Sequence, residues 1–482
     1  MGVSMGVLIE SAAPRRSQPR LRMREIDFAG KRVHMIGIGG CGMRGAAAML
    51  LRCGAKVSGS DRAPFVGLAA LSEQGARICI GQRATNLPEG VDLIVVSAAI
   101  PEENDELAAV RTLGYPVIKY AELLGEIMQL RTGVAIAGTH GKSTTAALCA
   151  HLFRVGGLDP SYVIGATAPQ LGGGSGVGLG EHFIVEACEF DRSFLNLQPA
   201  FAAVLNIEAD HLDCYADLDE IVSAFRAFAA NVPPDGLIVA NHLDLNVSAA
   251  MAEATARIET FGFEADADWQ ARNLSVDRGR YTFEVTYEGL PLFTSSLAIA
   301  GRHNVANALA ATALAFNAGV QRDAISEGLS TFQGVDRRMS VRGVRNGITI
   351  VDDYAHHPTE IRVTLEAVRE RFEPDRLWVV FQPHQHSRTR ILMNDFAESF
   401  GDADRILVPD IYGSRDTEQE IKRTGARDLV TRIERLGGPV RYVPRLSDIA
   451  ELLERETASG DVIVTMGAGN IWTLADALLE RL

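Results

Sequence analysis

Residues 134–145 read VAIAGTHGKSTT, and the helical pattern AALCAHLF follows directly. An apolar run of strand character therefore breaks into a glycine-containing turn and continues as a helix. The backbone N–H groups of such a turn and the N-terminus of the helix attract phosphate oxygens. In this pattern a lysine reaches the terminal phosphates and a hydroxyl can bind Mg²⁺. The stretch predicts a nucleotide phosphate loop built from Gly138, Thr139, His140, Gly141, Lys142, Ser143 and Thr144.

The loop is a shortened variant of the common nucleotide-binding pattern. Ile136 stands where the full pattern has a glycine, five residues before Gly141. The strand before the loop and the helix after it supply the context that the motif requires. The alternative is a glycine-capped turn between strand and helix that binds no ligand.

Length and composition describe an ordinary globular chain that divides into several domains. Its 482 residues suffice for about three domains of usual size. Lysine and arginine number 47 against 61 acidic residues, so the net charge is −14. This charge opposes nonspecific binding to nucleic acid or to an anionic membrane surface. We expect neither as a partner.

The sequence contains no signal of secretion or membrane insertion. No apolar run approaches the roughly 18 residues of a membrane span. The six cysteines lack CxxC spacing, so neither a disulfide framework nor a zinc site is indicated. We expect a cytoplasmic protein.

Alternating strand and helix patterns predict an α/β fold in three domains after a flexible N-terminal extension. The first domain is Rossmann-like, the second is an ATPase with a phosphate loop and a mostly parallel sheet, and the third is a small Rossmann-like domain. Glycine-rich residues 172–180 are predicted to be a flexible linker, with substrate contact as the alternative. The predicted segments are 1–27 for the extension, then 28–130, 131–334 and 335–482 for the domains.

A second glycine loop, at residues 37–42, follows the first predicted strand and opens a helix. Asp61 ends the next strand, which completes the dinucleotide fingerprint with its ribose-binding acid. The fingerprint alone favours NAD. However, the loop indicates only that a pyrophosphate binds at a helix N-terminus. A UDP-sugar contains the same group, so the motif does not distinguish it from NAD.

Further polar residues follow apolar strands in the second predicted domain. Glu186 ends the strand HFIVE, and His211 lies in NIEADHLD after the strand AFAAVL. Glu186 and Ser143 are predicted to hold one Mg²⁺, since Mg²⁺ prefers oxygen ligands beside phosphates, and His211 is predicted to reach a second ion on the γ-phosphate side. The alternatives are a surface salt bridge for Glu186 and a capping or core role for His211.

Two asparagines, Asn304 and Asn307, share one face of a predicted helix. Their amides can bind an adenine edge, or they can simply cap the helix.

In the third domain, DDYAHHP (352–358) and QPHQHSR (382–388) end two strands. Their histidine, aspartate and arginine side chains can orient an anionic co-substrate and stabilise developing charge. A metal site is the alternative. Arg337 and Arg338 are predicted to contact nucleotide phosphates across the cleft between the domains.

Taken in order, the motifs resemble those of the Mur ligases of bacterial cell-wall synthesis, from about residue 31 to about residue 476. The pieces that carry the resemblance are HMIGIGGCGM, VSGSD, AGTHGKSTT, EACEFDRSFL, NIEADHLD, GRHNVANALAA, GVDRRMS, VDDYAHHPTEI and FQPHQHSRTR. The resemblance implies that ATP phosphorylates the lactyl carboxylate of UDP-N-acetylmuramate, and that the amine of L-alanine attacks the acyl phosphate. It implies ATP and Mg²⁺ as cofactors, and we expect a monomer or a weak homodimer.

The resemblance also implies roles for individual residues. The catalytic residues that it implies are Lys142, His211, His356 and Arg388. The implied metal ligands are Ser143, Glu186 and His211. By the same resemblance, ATP is bound by the phosphate loop together with Asn304, Asn307, Arg338 and Asp353. The amino acid is bound by Tyr354, His356 and Arg388. The UDP-sugar is bound by Gly37, Gly39, Gly40, Gly42, Asp61 and Ser97.

The chain departs from the pattern at Gln385 and His386, where many relatives have Arg-Tyr. This leaves Arg388 as the predicted anchor for the alanine carboxylate. The absence of a lysine in AFRAFAAN fits the alanine-adding branch. Three alternatives remain at this point: a ligase that adds a preformed peptide, an NAD-dependent oxidoreductase built on the glycine loop at residues 37–42, and a protein that only binds nucleotide.

Overall fold

The computed structural model describes residues 28–65, 67–414 and 416–482, with only the backbone of Cys41. Within these residues the strands form three sheets of five, ten and six strands that follow one another along the chain. The predicted α/β class is confirmed. The predicted extension at residues 1–27 lies outside the described residues. The proposed boundaries near 130 and 334 fall between the sheets and stay predictions.

The first sheet is entirely parallel, with the order β3-β2-β1-β4-β5. The order reverses direction between β1 and β4, and such a switch point opens a crevice at the carboxyl ends of the strands. The strands are β1 (Arg32–Ile36), β2 (Lys56–Asp61), β3 (Arg77–Ile80), β4 (Leu93–Val96) and β5 (Val117–Lys119). The helices are α1 (Cys41–Arg52), α2 (Leu68–Glu73), α3 (Asp105–Leu113) and α4 (Tyr120–Met128).

The second sheet is mostly parallel, as predicted, with the order β15-β14-β13-β12-β11-β10-β6-β9-β7-β8. Antiparallel pairing is confined to the arm β13-β14-β15 and to the edge pair β7-β8. The strands are β6 (Thr132–Ala137), β7 (Ser161–Ala168), β8 (Gly173–Gly176), β9 (His182–Glu186), β10 (Phe201–Val204), β11 (Leu237–Asn241), β12 (Arg257–Gly262), β13 (Trp269–Asp277), β14 (Arg280–Tyr287) and β15 (Leu290–Leu297). The helices are α5 (Lys142–Val155), α6 (Leu218–Ala230), α7 (Leu245–Met251), α8 (Arg302–Asn317) and α9 (Arg322–Thr331).

The linker predicted at residues 172–180 is wrong, because Gly173–Gly176 form the edge strand β8. Gly176 pairs with Tyr162 of β7, and a Cβ atom at Gly176 would lie 2.5 Å from the Tyr162 ring. The glycines therefore permit close packing at a sheet edge, and glycine content alone does not distinguish that role from flexibility.

The third sheet has the order β16-β17-β21-β18-β19-β20, and β16 is its antiparallel edge. This is the predicted small doubly wound domain. The strands are β16 (Ser340–Arg345), β17 (Ile348–Asp353), β18 (Leu377–Phe381), β19 (Arg405–Val408), β20 (Val440–Tyr442) and β21 (Val462–Met466). The helices are α10 (Pro358–Phe372), α11 (His386–Ile391), α12 (Met393–Glu398), α13 (Glu418–Arg423), α14 (Ala426–Arg435), α15 (Leu446–Glu456) and α16 (Trp472–Arg481).

The hydrophobic core connects the first two domains more closely than the last two. One apolar cluster contains Leu123 of α4 together with Phe194 and Phe225 of the second domain. The apolar clusters of the third sheet are separate from it. Polar contacts such as the ion pair between Asp210 and Arg388 cross the boundary between the second and third domains. Among the described residues, no helix has the length and apolar character needed to cross a membrane.

Candidate active site

The phosphate loop connects β6 to α5 with a backbone that requires glycine at two positions. Gly138 has φ of 145° and Gly141 has φ of 81°, both in the region that other residues rarely adopt. A Cβ atom at Gly141 would also lie 2.6 Å from Oδ1 of Asn307. Helix α5 begins at Lys142, so Ser143 and Thr144 occupy its first turn. The loop thus has the strand, turn and helix geometry that a phosphate cradle needs.

Lys142 is held at the loop by both backbone and side-chain partners. Its ammonium group donates to the carbonyl oxygens of Gly138 at 2.6 Å and Thr139 at 2.9 Å. It also forms an ion pair of 2.9 Å with Glu189, and the two side chains are 11% and 4% exposed. Burial lowers the pKa of Lys142, but Glu189 and the neighbouring Cys188 and Glu186 outweigh it and hold this pKa above its usual value. The lysine is therefore charged at neutral pH.

Sequence analysis did not assign a role to Glu189. The available signal was the repeated acid in Glu186-Ala-Cys-Glu189, directly after a buried strand. Only the fold shows that the second acid, and not the first, contacts Lys142.

The three predicted metal ligands follow strands that are neighbours in the sheet. Ser143 follows β6, Glu186 ends β9 and His211 follows β10, and the sheet order is β10-β6-β9. Glu186 accepts a hydrogen bond of 2.6 Å from the N–H of Gly165. Nδ1 of His211 is buried and has no hydrogen-bond partner among the described residues. Burial lowers the pKa of His211, so its ring is neutral at pH 7.

A cavity of about 290 Å³ lies between the second and third domains. It is lined by seven of the predicted ATP-binding residues: His140, Gly141, Thr144, Asn304, Asn307, Arg338 and Asp353. The structure thus brings together residues from motifs that are far apart in the sequence.

The two asparagines of this cavity are linked to each other. Nδ2 of Asn307 donates to Oδ1 of Asn304 at 3.2 Å, and Nδ2 of Asn304 donates to the carbonyl of Ala300 at 2.6 Å. The residue that precedes α8 is Gly301, and no side chain caps this helix. The alternative that the asparagines simply cap the helix is therefore wrong.

Asp353 shapes the part of the cavity that the third domain provides. Its carboxylate accepts hydrogen bonds from the N–H groups of Met339 at 2.6 Å and Ala355 at 2.7 Å. Burial raises the pKa of Asp353 to about 6. The neighbouring Arg338 lies with its guanidinium 5.0 Å from the centre of the Tyr354 ring and 3.6 Å from Glu360.

Two of the three predicted amino-acid residues, His356 and Arg388, lie beside Asp210, an acid of the second domain with no predicted role. The rings of Tyr354 and His356 lie 5.3 Å apart, and Nε2 of His356 is 3.9 Å from Asp210. Nε and Nη2 of Arg388 contact Oδ1 of Asp210 at 2.9 and 2.8 Å. Burial raises the pKa of Asp210, but Arg388 and the nearby histidines lower it more, and it lies well below its usual value. Arg388, the predicted anchor for the carboxylate of the amino acid, is thus already paired with the carboxylate of Asp210.

A second cluster of histidine and acid joins the same two domains. His140 of the phosphate loop lies 3.4 Å from Glu208 and 3.3 Å from Glu360 of α10. Burial alone lowers the pKa of His140, but its hydrogen bonds to Glu208 and Glu360 raise it to about 9. His357, which precedes α10, has a pKa lowered to about 4 by burial and by the nearby His140.

The six residues predicted to bind the UDP-sugar lie together at the switch point of the first sheet. The N–H of Gly39 donates to Asp61 at 2.8 Å, so the acid supports the glycine loop. Gly37 has φ of 83°, and a Cβ atom there would lie 3.0 Å from Ser97. Gly40 precedes the first turn of α1, and Gly42 lies in that turn against Tyr120. These residues surround the N-terminus of α1, where a pyrophosphate would be favoured.

Three family profiles match successive parts of the chain. The Mur ligase family catalytic domain matches residues 32–132, the Mur ligase middle domain 136–315, and the Mur ligase glutamate ligase domain 337–469. The chain belongs to the Mur ligase family.

Within that family the chain is similar to curated proteins named UDP-N-acetylmuramate–L-alanine ligase. The one from Caldanaerobacter subterraneus subsp. tengcongensis is 41% identical over 453 residues, which are 94% of this chain and 98% of the relative. The one from Trichlorobacter lovleyi is 42% identical over 454 residues, with coverage of 94% and 99%.

Solved structures agree with this assignment. The UDP-N-acetylmuramate-alanine ligase of Thermotoga maritima has a TM-score of 0.77 at 27% identity, and the match covers 93% of this chain and 98% of that one. The murein peptide ligase of Psychrobacter arcticus has a TM-score of 0.68 at 27% identity, with coverage of 94% and 98%.

Proposed function

We propose that this protein joins L-alanine to the lactyl carboxylate of UDP-N-acetylmuramate, with ATP converted to ADP and phosphate, as a step of peptidoglycan precursor synthesis. The main support is the cavity in which the phosphate loop faces Arg338 and Asp353 of the third domain. The names of the relatives supply the substrates. ATP, nucleotide sugar and amino acid are cytoplasmic metabolites, and we place the protein in that compartment as a monomer or weak homodimer.

A carboxylate is a poor acyl donor, so its oxygen must first become part of a leaving group. In the proposed first step a carboxylate oxygen bonds to the γ-phosphorus of ATP while the bond to the β-phosphate oxygen breaks, and ADP leaves. In the second step the amine nitrogen attacks the acyl carbon, phosphate leaves and the nitrogen loses a proton. The charged Lys142, held at the loop carbonyls, offsets the negative charge of the phosphoryl transfer.

Ser143, Glu186 and His211 are the residues that would hold Mg²⁺. A hydroxyl and a carboxylate suit this hard cation, and the buried Nδ1 of His211 is without a hydrogen-bond partner among the described residues. When bound, the ion would neutralise phosphate charge.

We assign the UDP-sugar to Gly37, Gly39, Gly40, Gly42, Asp61 and Ser97, and the amino acid to Tyr354, His356 and Arg388. Because Arg388 already pairs with Asp210, the carboxylate of L-alanine must share this guanidinium or use its remaining Nη1 atom. That atom lies 3.3 Å from the carbonyl oxygen of His384.

The decisive experiment measures phosphate release from ATP with Mg²⁺ and UDP-N-acetylmuramate, with and without L-alanine, L-serine, glycine or a tripeptide. We expect release that requires both the UDP-sugar and L-alanine. Release with the tripeptide alone would move the protein to the peptide-adding ligases. No release, together with tight binding of reduced nicotinamide cofactor, would favour an oxidoreductase.

A further inference from the structure

We propose that His140, Glu208 and His357 form a binding site for a divalent transition-metal ion, with Zn²⁺ as the reference ion, at the boundary between the second and third domains. These residues differ from Ser143, Glu186 and His211, the group assigned to Mg²⁺. The inference does not depend on the reaction proposed above.

The geometry of the three side chains suits a tetrahedral ion. Nε2 of His140 lies 3.4 Å from Oε2 of Glu208, and Nδ1 of His357 lies 3.6 Å from the same oxygen. All three ligand atoms lie within 4.8 Å of one another. A tetrahedral Zn²⁺ with bonds of roughly 2.0–2.1 Å places its ligand atoms about 3.4 Å apart. Two of the three separations therefore already lie near this value, and the third is within 4.8 Å.

The second layer of contacts is also of the kind that metal sites use. Histidines that bind metals usually direct their other ring nitrogen to a carboxylate or a carbonyl oxygen. The other nitrogen of His140, Nδ1, lies 3.3 Å from Glu360, and Nε2 of His357 lies 3.3 Å from the carbonyl oxygen of Ala209. Glu208 accepts a hydrogen bond of 2.7 Å from the hydroxyl of Thr359. Each ligand is thus oriented by a further group.

Two features oppose binding and limit its strength. The proton of His140 must leave, because a metal replaces a proton on the nitrogen. Nδ1 of His357 also accepts a long hydrogen bond of 3.3 Å from the N–H of Thr359, and the ion would replace this bond because the nitrogen has a single lone pair. Access from solvent is available because the side chain of Glu208 is 35% exposed, and water can complete the coordination.

A chemical preference follows from the ligand types. Two imidazoles and one carboxylate suit Zn²⁺, Co²⁺ or Ni²⁺ better than Mg²⁺, which favours oxygen. Since His140 and Glu208 belong to the second domain and His357 to the third, the ion would hold the two domains together. In many enzymes the opening of a lid or domain limits product release, so we expect the bound ion to slow turnover.

The test uses the full chain without nucleotide at about pH 8, where loss of the His140 proton is less costly. Zn²⁺ is titrated in competition with a chromogenic chelator, and Co²⁺ is followed by its visible absorption. His357→Asn removes the imidazole but keeps a side chain that can cap α10, and Glu208→Gln removes the carboxylate charge. The control is His242→Asn, since His242 lies 3.0 Å from the acid Asp266 and is not among the three proposed ligands.

We expect one Zn²⁺ per chain, with affinity at least about tenfold weaker in His357→Asn and in Glu208→Gln and unchanged in His242→Asn. Zn²⁺ should also raise the melting temperature of the wild type more than that of the two ligand variants. Equal affinity in all four proteins would overturn the proposal. Weaker Zn²⁺ binding in His211→Asn, together with unchanged Zn²⁺ binding in the two ligand variants, would also overturn it. The ion would then lie at the site of Ser143, Glu186 and His211. Circular dichroism of the metal-free variants identifies any that does not fold, and the remaining ligand variant then decides.

Discussion

Asp210 and Arg388 form a buried ion pair of 2.8 Å between residues 178 positions apart in the chain. Both side chains are 6% exposed, and the pair joins the second domain to the third. The apolar clusters of these domains are separate, so this contact is among those that orient one domain on the other. Removing one member would leave an unpaired charge in a buried position, which costs more than the pair itself contributes.

A double-mutant cycle on Asp210→Asn and Arg388→Met should reveal strong coupling. We expect each single variant to lose roughly 3 kcal/mol of stability. The double variant should lose less than the sum by about 1–3 kcal/mol, because neither unpaired charge remains. Chemical denaturation followed by fluorescence measures the cycle. Additive effects would mean that the two charges act independently.

Arg388→Ala should raise the concentration of L-alanine needed for half-maximal phosphate release, by about tenfold or more, because a charge-assisted bond to the carboxylate is lost. Arg390→Ala is the control, since Arg390 lies on the same helix and is exposed. If saturation by L-alanine is the same in Arg388→Ala and the wild type, the carboxylate binds elsewhere.

Lys142→Ala should keep the fold and the binding of UDP-N-acetylmuramate but lower the rate of phosphate release by about 10²–10³-fold, because one preorganised positive charge is lost. Lys119→Ala provides the control, as Lys119 pairs with Asp191 on the surface. Calorimetry with the UDP-sugar checks the first expectation, and a phosphate assay checks the second. An unchanged rate in Lys142→Ala would remove this lysine from the mechanism.

Raising the pH should weaken the boundary between the second and third domains. His140 has a pKa raised to about 9 from 6.5, so its protonated form is stabilised by folding. This stabilisation is fully present below about pH 6.5 and is lost as the pH rises through about 9. The melting temperature should therefore fall more between about pH 7 and pH 10 in the wild type than in His140→Gln. Parallel curves for the two proteins would contradict the assigned pKa.

Gly39→Ala should weaken the binding of UDP-N-acetylmuramate by at least about tenfold, because the new methyl group disturbs the backbone that receives the pyrophosphate. A Cβ atom there would lie 2.5 Å from the Phe65 ring and 2.7 Å from Asp61. Gly401→Ala is the control, since among the described residues, apart from Gly401 and its two chain neighbours, no heavy atom lies within 4 Å of the added carbon. Calorimetry compares the two variants, and equal affinity would place the UDP-sugar away from this loop.

Local patterns were sufficient to predict both glycine loops and the alternation of strands and helices. In each loop the strand, the turn and the helix N-terminus are contiguous, so the chemistry is encoded within about a dozen residues. The sequence also indicated that Ser143, Glu186 and His211 each follow a strand, but only the sheet order β10-β6-β9 shows that these strands are neighbours. Local pattern was misleading at Gly173–Gly176, where glycine serves close packing in β8.

Local patterns could not predict which charged residues far apart in the chain contact each other. The motifs alone predicted that Lys142 and Arg388 bind anions. The pattern NIEADHLD contains Glu208 and Asp210, but it gave neither acid a role of its own. Folding brings Glu189 to Lys142, Asp210 to Arg388, and Glu208 to His140 and His357. The interaction of two charges depends on their distance and burial after the domains have packed, and neither quantity can be read from spacing along the chain.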